Sequence, residues 1–495
     1  MLTPEYLEHC TDDIIELTNK LEETIMRDIA RRLVKNGGVT ASAKWQIDTV
    51  KESGLLYEDI ISQVSAFANT TEPYTKALFE DAGVTSVDFD NTIYKAAGLE
   101  PISLRKSPAA MQVLLAGLKK TNNLISNLTK TTANGAQRLY IEVAALAEMQ
   151  IESGAFDYAS AIKNAIRNAA KDGAFVVYPS GHRDRIDVAI RRAVLTGVGQ
   201  TTAEISLSNA DDMGCDLVET SAHAGARPDH AIWQGKIFSR SGKSKKYPDF
   251  VSFTGYGTGA GLCGWNCRHS FYPFFEGLSE SAYPREQLAE YNSRTVTYNG
   301  EIMSYYDATQ MQRSKEKRIR STKRELVGFD EAIKNGLKVA QIDFNMYSVS
   351  LKHQKADIAD FLQQTGLLND KSRTQVLNFN HSIATKSVWS VKRNVLTNSV
   401  GDEIIKINRT NVKALPNSIT QKTNNKGGID RNYYDKRGMQ IKQISNNDHG
   451  HKLESTIGTH GEHAHDYWWD ENGKPHHLSA REITDTERKD NSDIL

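Results

Sequence analysis

Residues 12–38 read DDIIELTNKLEETIMRDIARRLVKNGG, and they set the expectation for the whole first half of the chain. Ile14, Leu17, Leu21, Ile25, Ile29 and Leu33 recur at three- and four-residue steps, which places them on one face of a helix. Asp12 and Asp13 sit in its first turn, where the helix dipole favours negative charge, and Gly37-Gly38 follow as a stop. Outward from this ladder the pattern repeats. Helices are expected over about 40–52, 55–68 and 74–82, broken at Gly54, Pro73 and Gly83. Ser107-Pro108 is a start signal, a capping Ser followed by Pro in the first turn. Beyond it helices are expected over about 108–129, 136–152, 156–170 and 184–209.

The texture changes near residue 213. From Gly214 to Gly277 the apolar runs are short, glycines are frequent, and Phe238, Tyr247, Phe250, Phe253 and Tyr256 crowd into one stretch. That composition predicts a small α+β module with ordered loops. Helical patterning returns from about 284 to 365, and residues 366–426 are Asn/Thr/Lys-rich, read as a linker or weakly structured strands. The last 69 residues hold seven of the 14 histidines and read as a separate β-rich domain with a turn at Glu471-Asn472-Gly473. The expected class is α+β. Its divisions are a helical region 1–180, a central module 181–285, a helical segment 286–365, a linker 366–426 and a His-rich domain 427–495.

Bulk composition narrows the function. Lys+Arg and Asp+Glu are equal at 61 each, so no global field draws the chain to nucleic acid or membrane. The four cysteines, at 10, 215, 263 and 267, are too few for a disulfide framework and fit a reducing cytoplasm. No signal peptide or membrane-spanning run is expected from the sequence.

ETSAHAGARPDHAIWQGKIFSRSG at 219–242 and YPDFVSFTGYGTGAGLCGWNCRHSFYPFFEGLS at 247–279 resemble the central module of the phage minor capsid protein 2 family, a branch of the Mu-type head morphogenesis group. The matching residues are His223, Arg227, Pro228, His230, Trp233, Gly235, Gly255 to Gly259, and Asn266-Cys267-Arg268-His269. Flanking stretches at 187–206 and 309–325 fit the same pattern, and the likeness extends over roughly residues 1–380. The resemblance implies a structural component of a phage or prophage head, made in the bacterial cytoplasm. Its partners would be portal and capsid proteins, and its role head assembly or DNA ejection. It also implies that the C-terminal 69 residues are variable cargo, in some members toxin-like.

Read by themselves, His223, His230, Cys263, Cys267 and His269 are donors that suit Zn²⁺. The alternative is two small buried thiols with locally hydrogen-bonded histidines. The glycines from 255 to 261 lack the strand and helix that a nucleotide loop requires, so they read as backbone turns. No residues are assigned as catalytic, because nothing supplies a third partner to Cys267 and His269. The run MQRSKEKRIRSTKR at 311–324 reads as a solvated basic helix. Arg318, Arg320, Lys323 and Arg324 are its candidates for contact with packaged DNA. In the tail, His449, His451, His460, His463 and His465 stand among carboxylates, the composition of a metal site or of a metal-dependent effector such as a nuclease. A plain polar tail with incidental histidines is the other reading.

Overall fold

The computed structural model describes residues 1–35, 42–154, 156–376, 378–398, 400–407, 410–424, 427–450, 454–471 and 473–495. Gly37, Gly38, His451 and Asn472 lie outside the described residues. A short helix α1 (Pro4–His9) precedes the expected amphipathic one, α2 (Asp12–Lys35). Ile14, Leu21, Ile25, Ile29 and Leu33 are buried as their spacing requires, and Leu17 packs against the same core.

The three helices expected over 40–82 are instead one 55-residue helix, α3 (Ser42–Ala96), with Pro73 inside it. An interior Pro costs a helix roughly 3 kcal/mol, so packing has to outweigh it. Phe67 and Phe79 are buried on either side of it. The Thr70, Thr71 and Thr75 hydroxyls donate back to the carbonyls of Ala66, Phe67 and Thr71 around it. Gly83 is a packing residue here, since a Cβ would stand 2.9 Å from Leu104 Cδ2 and 3.1 Å from Leu114 Cδ1. The two helices expected over 108–152 likewise merge into α4 (Pro108–Glu152), capped by Ser107 with Pro108 in its first turn. Next come α5 (Tyr158–Asp172), a small antiparallel ladder of β1 (Phe175–Val177) and β2 (Arg183–Arg185), and α6 (Ile186–Asp212).

The central module holds β3 (Leu217–Thr220), α7 (Pro228–Ala231), β4 (Ile237–Ser239), α8 (Phe250–Thr254) and β5 (Phe271–Phe274). Its sheet is antiparallel with β3 in the middle. After it come α9 (Arg285–Ser293), the hairpin β6 (Thr295–Tyr298) with β7 (Glu301–Ser304), and the helices α10 (Tyr305–Lys334), α11 (Ala340–Thr365) and α12 (His381–Asn394). One apolar core runs through this helical frame, from Leu2 to Ile383. The central module has its own, built on Val218, Trp233, Phe238, Phe250, Leu262 and Phe271.

The tail is one seven-stranded sheet: β8 (Val395–Thr397), β9 (Glu403–Ile407), β10 (Ile419–Thr423), β11 (Ile429–Tyr434), β12 (Gln440–Ser445), β13 (His463–Trp469) and β14 (Pro475–His477), in reverse sequence order across the sheet. β9 and β10 are parallel and the other neighbours antiparallel. Helix α13 (Asp485–Asp490) follows, with a capping box from Thr484 and Glu487. The stretch 366–426, expected as a linker or weakly structured strands, carries α12 and three strands of an ordered sheet, and the β10–β11 pair straddles the expected division at 426/427. Its polar composition is satisfied inside the sheet. Thr420 and Gln421 are buried, and Gln421 Oε1 accepts a hydrogen bond from Arg431 Nε at 3.0 Å.

Candidate metal centres

Three of the five donors expected in the central module converge. His230 enters on the short α7, which begins at Pro228. Cys267 and His269 enter on the loop leading into β5. That loop is wound tightly enough that a Cβ on Gly261 would fall 2.0 Å from Gly255 O. Cys263 and Asn266 adopt φ of +58° and +53° within it, a conformation non-glycine residues rarely hold. The result places His230 Nδ1 3.3 Å from His269 Nδ1, with Cys267 Sγ 3.8 and 3.7 Å from the two nitrogens. A tetrahedral Zn²⁺ with bonds of about 2.0–2.3 Å separates such atoms by roughly 3.4–3.6 Å. The three edges fit.

Burial is nearly complete, with all three side chains at most 5% exposed. Trp233 closes the wall, its ring 4.6 Å from that of His230 and 4.8 Å from that of His269. Burial drives the imidazoles of His230 and His269 toward the neutral form and pushes the Cys267 thiol above its ordinary range. Gln234 Oε1 accepts from His269 Nε2 at 3.1 Å, which leaves Nδ1 as a bare lone pair. Two proton arrangements then suit His230. With Nε2–H donating to Ala260 O at 2.9 Å, both Nδ1 lone pairs face one point, as metal ligands do. With Nε2 accepting from Arg227 instead, Nδ1–H donates to His269.

His223 and Cys263 stay outside the triad. The His223 ring stacks on His269 at 4.6 Å while its Nδ1–H donates to Ala224 O, and burial lowers its pKa to about 4. The Cys263 thiol lies in the apolar core and points at His269 O, 3.7 Å away.

Beside the triad opens a cleft of about 540 Å³, lined by Arg227 and by Arg191, Arg268, Arg313 and Arg373, which gather around Glu8. Burial alone would raise the Glu8 carboxyl, but Arg268 at 2.6 Å and Arg373 outweigh it and hold it at about 2. These cations come from α6, the central module, α10 and the turn after α11. No local sequence pattern announces such a gathering.

The basic run on α10 is not the solvated rod its composition suggests. Arg324 is buried near Glu22, Arg320 and Lys323 donate to the carbonyls of Arg373 and Thr374, and Arg318 alone of the four is exposed. The reason is position: α10 packs between α2, α5 and α11, so most of its circumference is inside.

In the tail, His449, Glu454 and His463 bring their ligand atoms within 4.8 Å of one another. His465 stands next to them, its ring 4.9 Å from that of His463. His460 is exposed, with its backbone N–H donating to Glu462 at 2.6 Å, and His451 lies outside the described residues. Glu454 was not among the expected donors, because nothing in KLEST distinguishes it.

A long-helix frame thus holds a small, tightly looped module with a core of its own. Residues 2–363 match the family model of phage minor capsid protein 2, and the chain belongs to that family, whose members are structural proteins of the virion. A structural protein of Lactococcus phage LL-H is 24% identical over 298 residues, covering 57% of this chain and 76% of the relative. A structural protein of Lactococcus phage mv4 is 37% identical over 78 residues, 16% of this chain and 54% of the relative. No solved structure matches. Among the described residues, no helix is long and apolar enough to cross a membrane.

Proposed function

We propose that the chain is a low-copy component of the phage head, associated with the portal and serving head assembly or DNA ejection, with Zn²⁺ closing its central module. The observation that carries this reading is the build of the residues that match the family. Helices of 55 and 45 residues, about 80 and 70 Å long at 1.5 Å per residue, pack side by side, a frame suited to bridging neighbours. The chain start ties the module to that frame. Ser270 Oγ donates to Leu2 O at 2.6 Å, and Arg268 pairs with Glu8. Zinc is supported by the spacing and burial of His230, Cys267 and His269 and by the neutral state of the two imidazoles; those residues would hold it, with Cys267 as the thiolate, and it would act as a staple. Arg320, Lys323 and Arg324 of the α10 run serve packing, which leaves the exposed Arg318 as the one of the four placed to reach packaged DNA.

The test is composition of the particle. Mass spectrometry of purified heads should find a few copies per head, and crosslinking should join the α3–α4 frame to the portal. Absence from mature heads, or hundreds of copies spread over the shell, overturns the proposal.

A further inference from the structure

The family match ends at residue 363, and the C-terminal sheet carries chemistry of its own. Four histidine rings form a row on it, with neighbouring centroids 5.3 Å apart from His449 to His463, 4.9 Å to His465 and 5.2 Å to His477. His463 and His465 share a face of β13 because strand side chains alternate. The His463 Nδ1–H donates to Gly461 O at 2.9 Å, and a carbonyl can only accept, so in the neutral imidazole Nε2 carries the lone pair. That Nε2 is fully buried and has no hydrogen-bond partner among the described residues. The His465 Nδ1–H likewise donates to Leu478 O at 3.0 Å, leaving a second Nε2 lone pair.

Both lone pairs face the same carboxylate. Glu454 Oε2 lies 3.8 Å from His463 Nε2, and Glu454 Oε1 lies 3.7 Å from His465 Nε2. Glu454 Oε2 is also buried without a hydrogen bond among the described residues. Acceptors thus point at acceptors across a gap too long for a hydrogen bond, an unfavourable arrangement in a desolvated place. A cation in the gap reverses the sign, and the separations are close to the roughly 3.4 Å between ligands of a tetrahedral ion with bonds near 2.1 Å. His449 completes the set, its Nε2 supported by Ser445 Oγ at 3.1 Å and Asp430 Oδ1 at 3.4 Å.

We infer that His449, Glu454 and His463, with His465 at their edge, bind a divalent transition-metal ion, Zn²⁺ by the character of the donors. Imidazoles with a single carboxylate favour zinc and its neighbours over Ca²⁺ or Mg²⁺, which prefer all-oxygen shells. This site is independent of the central triad and of any portal contact.

The full-length chain, stripped with chelator, is titrated with Zn²⁺ and separately with Co²⁺. Only the central triad has a thiolate, so only it can give a sulfur-to-cobalt charge-transfer band; the tail site has nitrogen and oxygen ligands alone. Glu454→Gln and His449→Asn should each weaken one equivalent of metal at least tenfold and leave any thiolate band untouched. Circular dichroism of the metal-free variants confirms that each is folded, and the exposed His449 provides a mild second variant should Glu454→Gln misfold. Titrations of the folded variants that coincide with the parent chain in stoichiometry and affinity overturn the site. Failure of the central zinc alone would instead remove the thiolate band and leave the Glu454-dependent equivalent.

Discussion

The central module and the C-terminal sheet both gather imidazoles around one point, yet they surround that point differently. In the module the walls are aromatic and aliphatic: Trp233, Phe250, Leu262 and Phe271 make up the core beside Cys267. In the sheet the apolar core is split into two small clusters, Ile444 with Ala464 and Ile483, and Ile405 with Ile407 against α11. Its interior is held by polar groups, among them Arg431, Asn432, Gln440 and Ser445, all at most 1% exposed. A metal in the module would replace missing apolar volume in a region too small to stabilise itself. In the sheet it would sit in a polar network and supply the partner that His463 Nε2 and Glu454 Oε2 lack among the described residues. The same residue types therefore carry different energetic weight, and each region can be broken without the other.

The largest effect belongs to the module. Removing the proposed Zn²⁺ with chelator, or replacing Cys267 by Ser, should destabilise it by up to about 10 kcal/mol, the scale on which structural zinc couples to folding. Calorimetry should show its transition falling by about 10 °C or more, with the tail transition moving less. Equal shifts in both transitions would erase the contrast.

The sheet should break elsewhere. Arg431 is 1% exposed, and its guanidinium forks onto Asp493, Nη1 reaching Oδ1 at 2.8 Å and Nη2 pairing with Oδ2. Asp493→Ala strands a buried charge, at a cost of roughly 3–5 kcal/mol. Hydrogen exchange should accelerate in β10 to β12 and stay unchanged around His230. Unaltered exchange in the sheet would mean that the Arg431 network does not hold it.

The sequence made the faces of individual helices legible, because the ladder at Ile14 to Leu33 is local information. It hid the lengths of α3 and α4, since Pro73 and Gly83 break helices only where packing does not outweigh them. Phe67, Phe79 and Leu114, which tip that balance, are distant along the chain or carry no such label. At the central site the donor types were legible but not their selection. His230 lies 37 residues from Cys267, and the positive φ angles at Cys263 and Asn266, not spacing, decide which thiol turns inward. In the tail the histidines stood out by number, whereas Glu454 becomes visible only when β13 and the turn before it are folded together.

The smallest of the three effects is one of pH, and it separates the helical frame from the sheet by sign. Burial raises Glu325 on α10 to about 8, more than Arg167 and Arg324 can offset. Below about 4.5 the carboxyl is protonated whether the chain is folded or not. Between about 4.5 and 8 the folded frame keeps a proton that the unfolded chain has released, so stability falls as pH rises through that window. In the sheet, hydrogen bonds from Arg481, at 2.8 and 2.9 Å, lead in holding Glu487 well below the usual carboxylate range, with Lys442 adding to them. Its contribution is intact above about 4.5 and is lost only as pH falls below that. Glu325→Gln removes the titrating group without removing volume. It should leave the melting temperature of the frame nearly unchanged at pH 5 and raise stability at pH 8 by on the order of 3 kcal/mol. The acid-side loss of the sheet should persist in that variant. A frame equally stable at pH 5 and pH 8 in the parent chain would mean that Glu325 ionises normally, and the opposition between the two regions would rest on Glu487 alone.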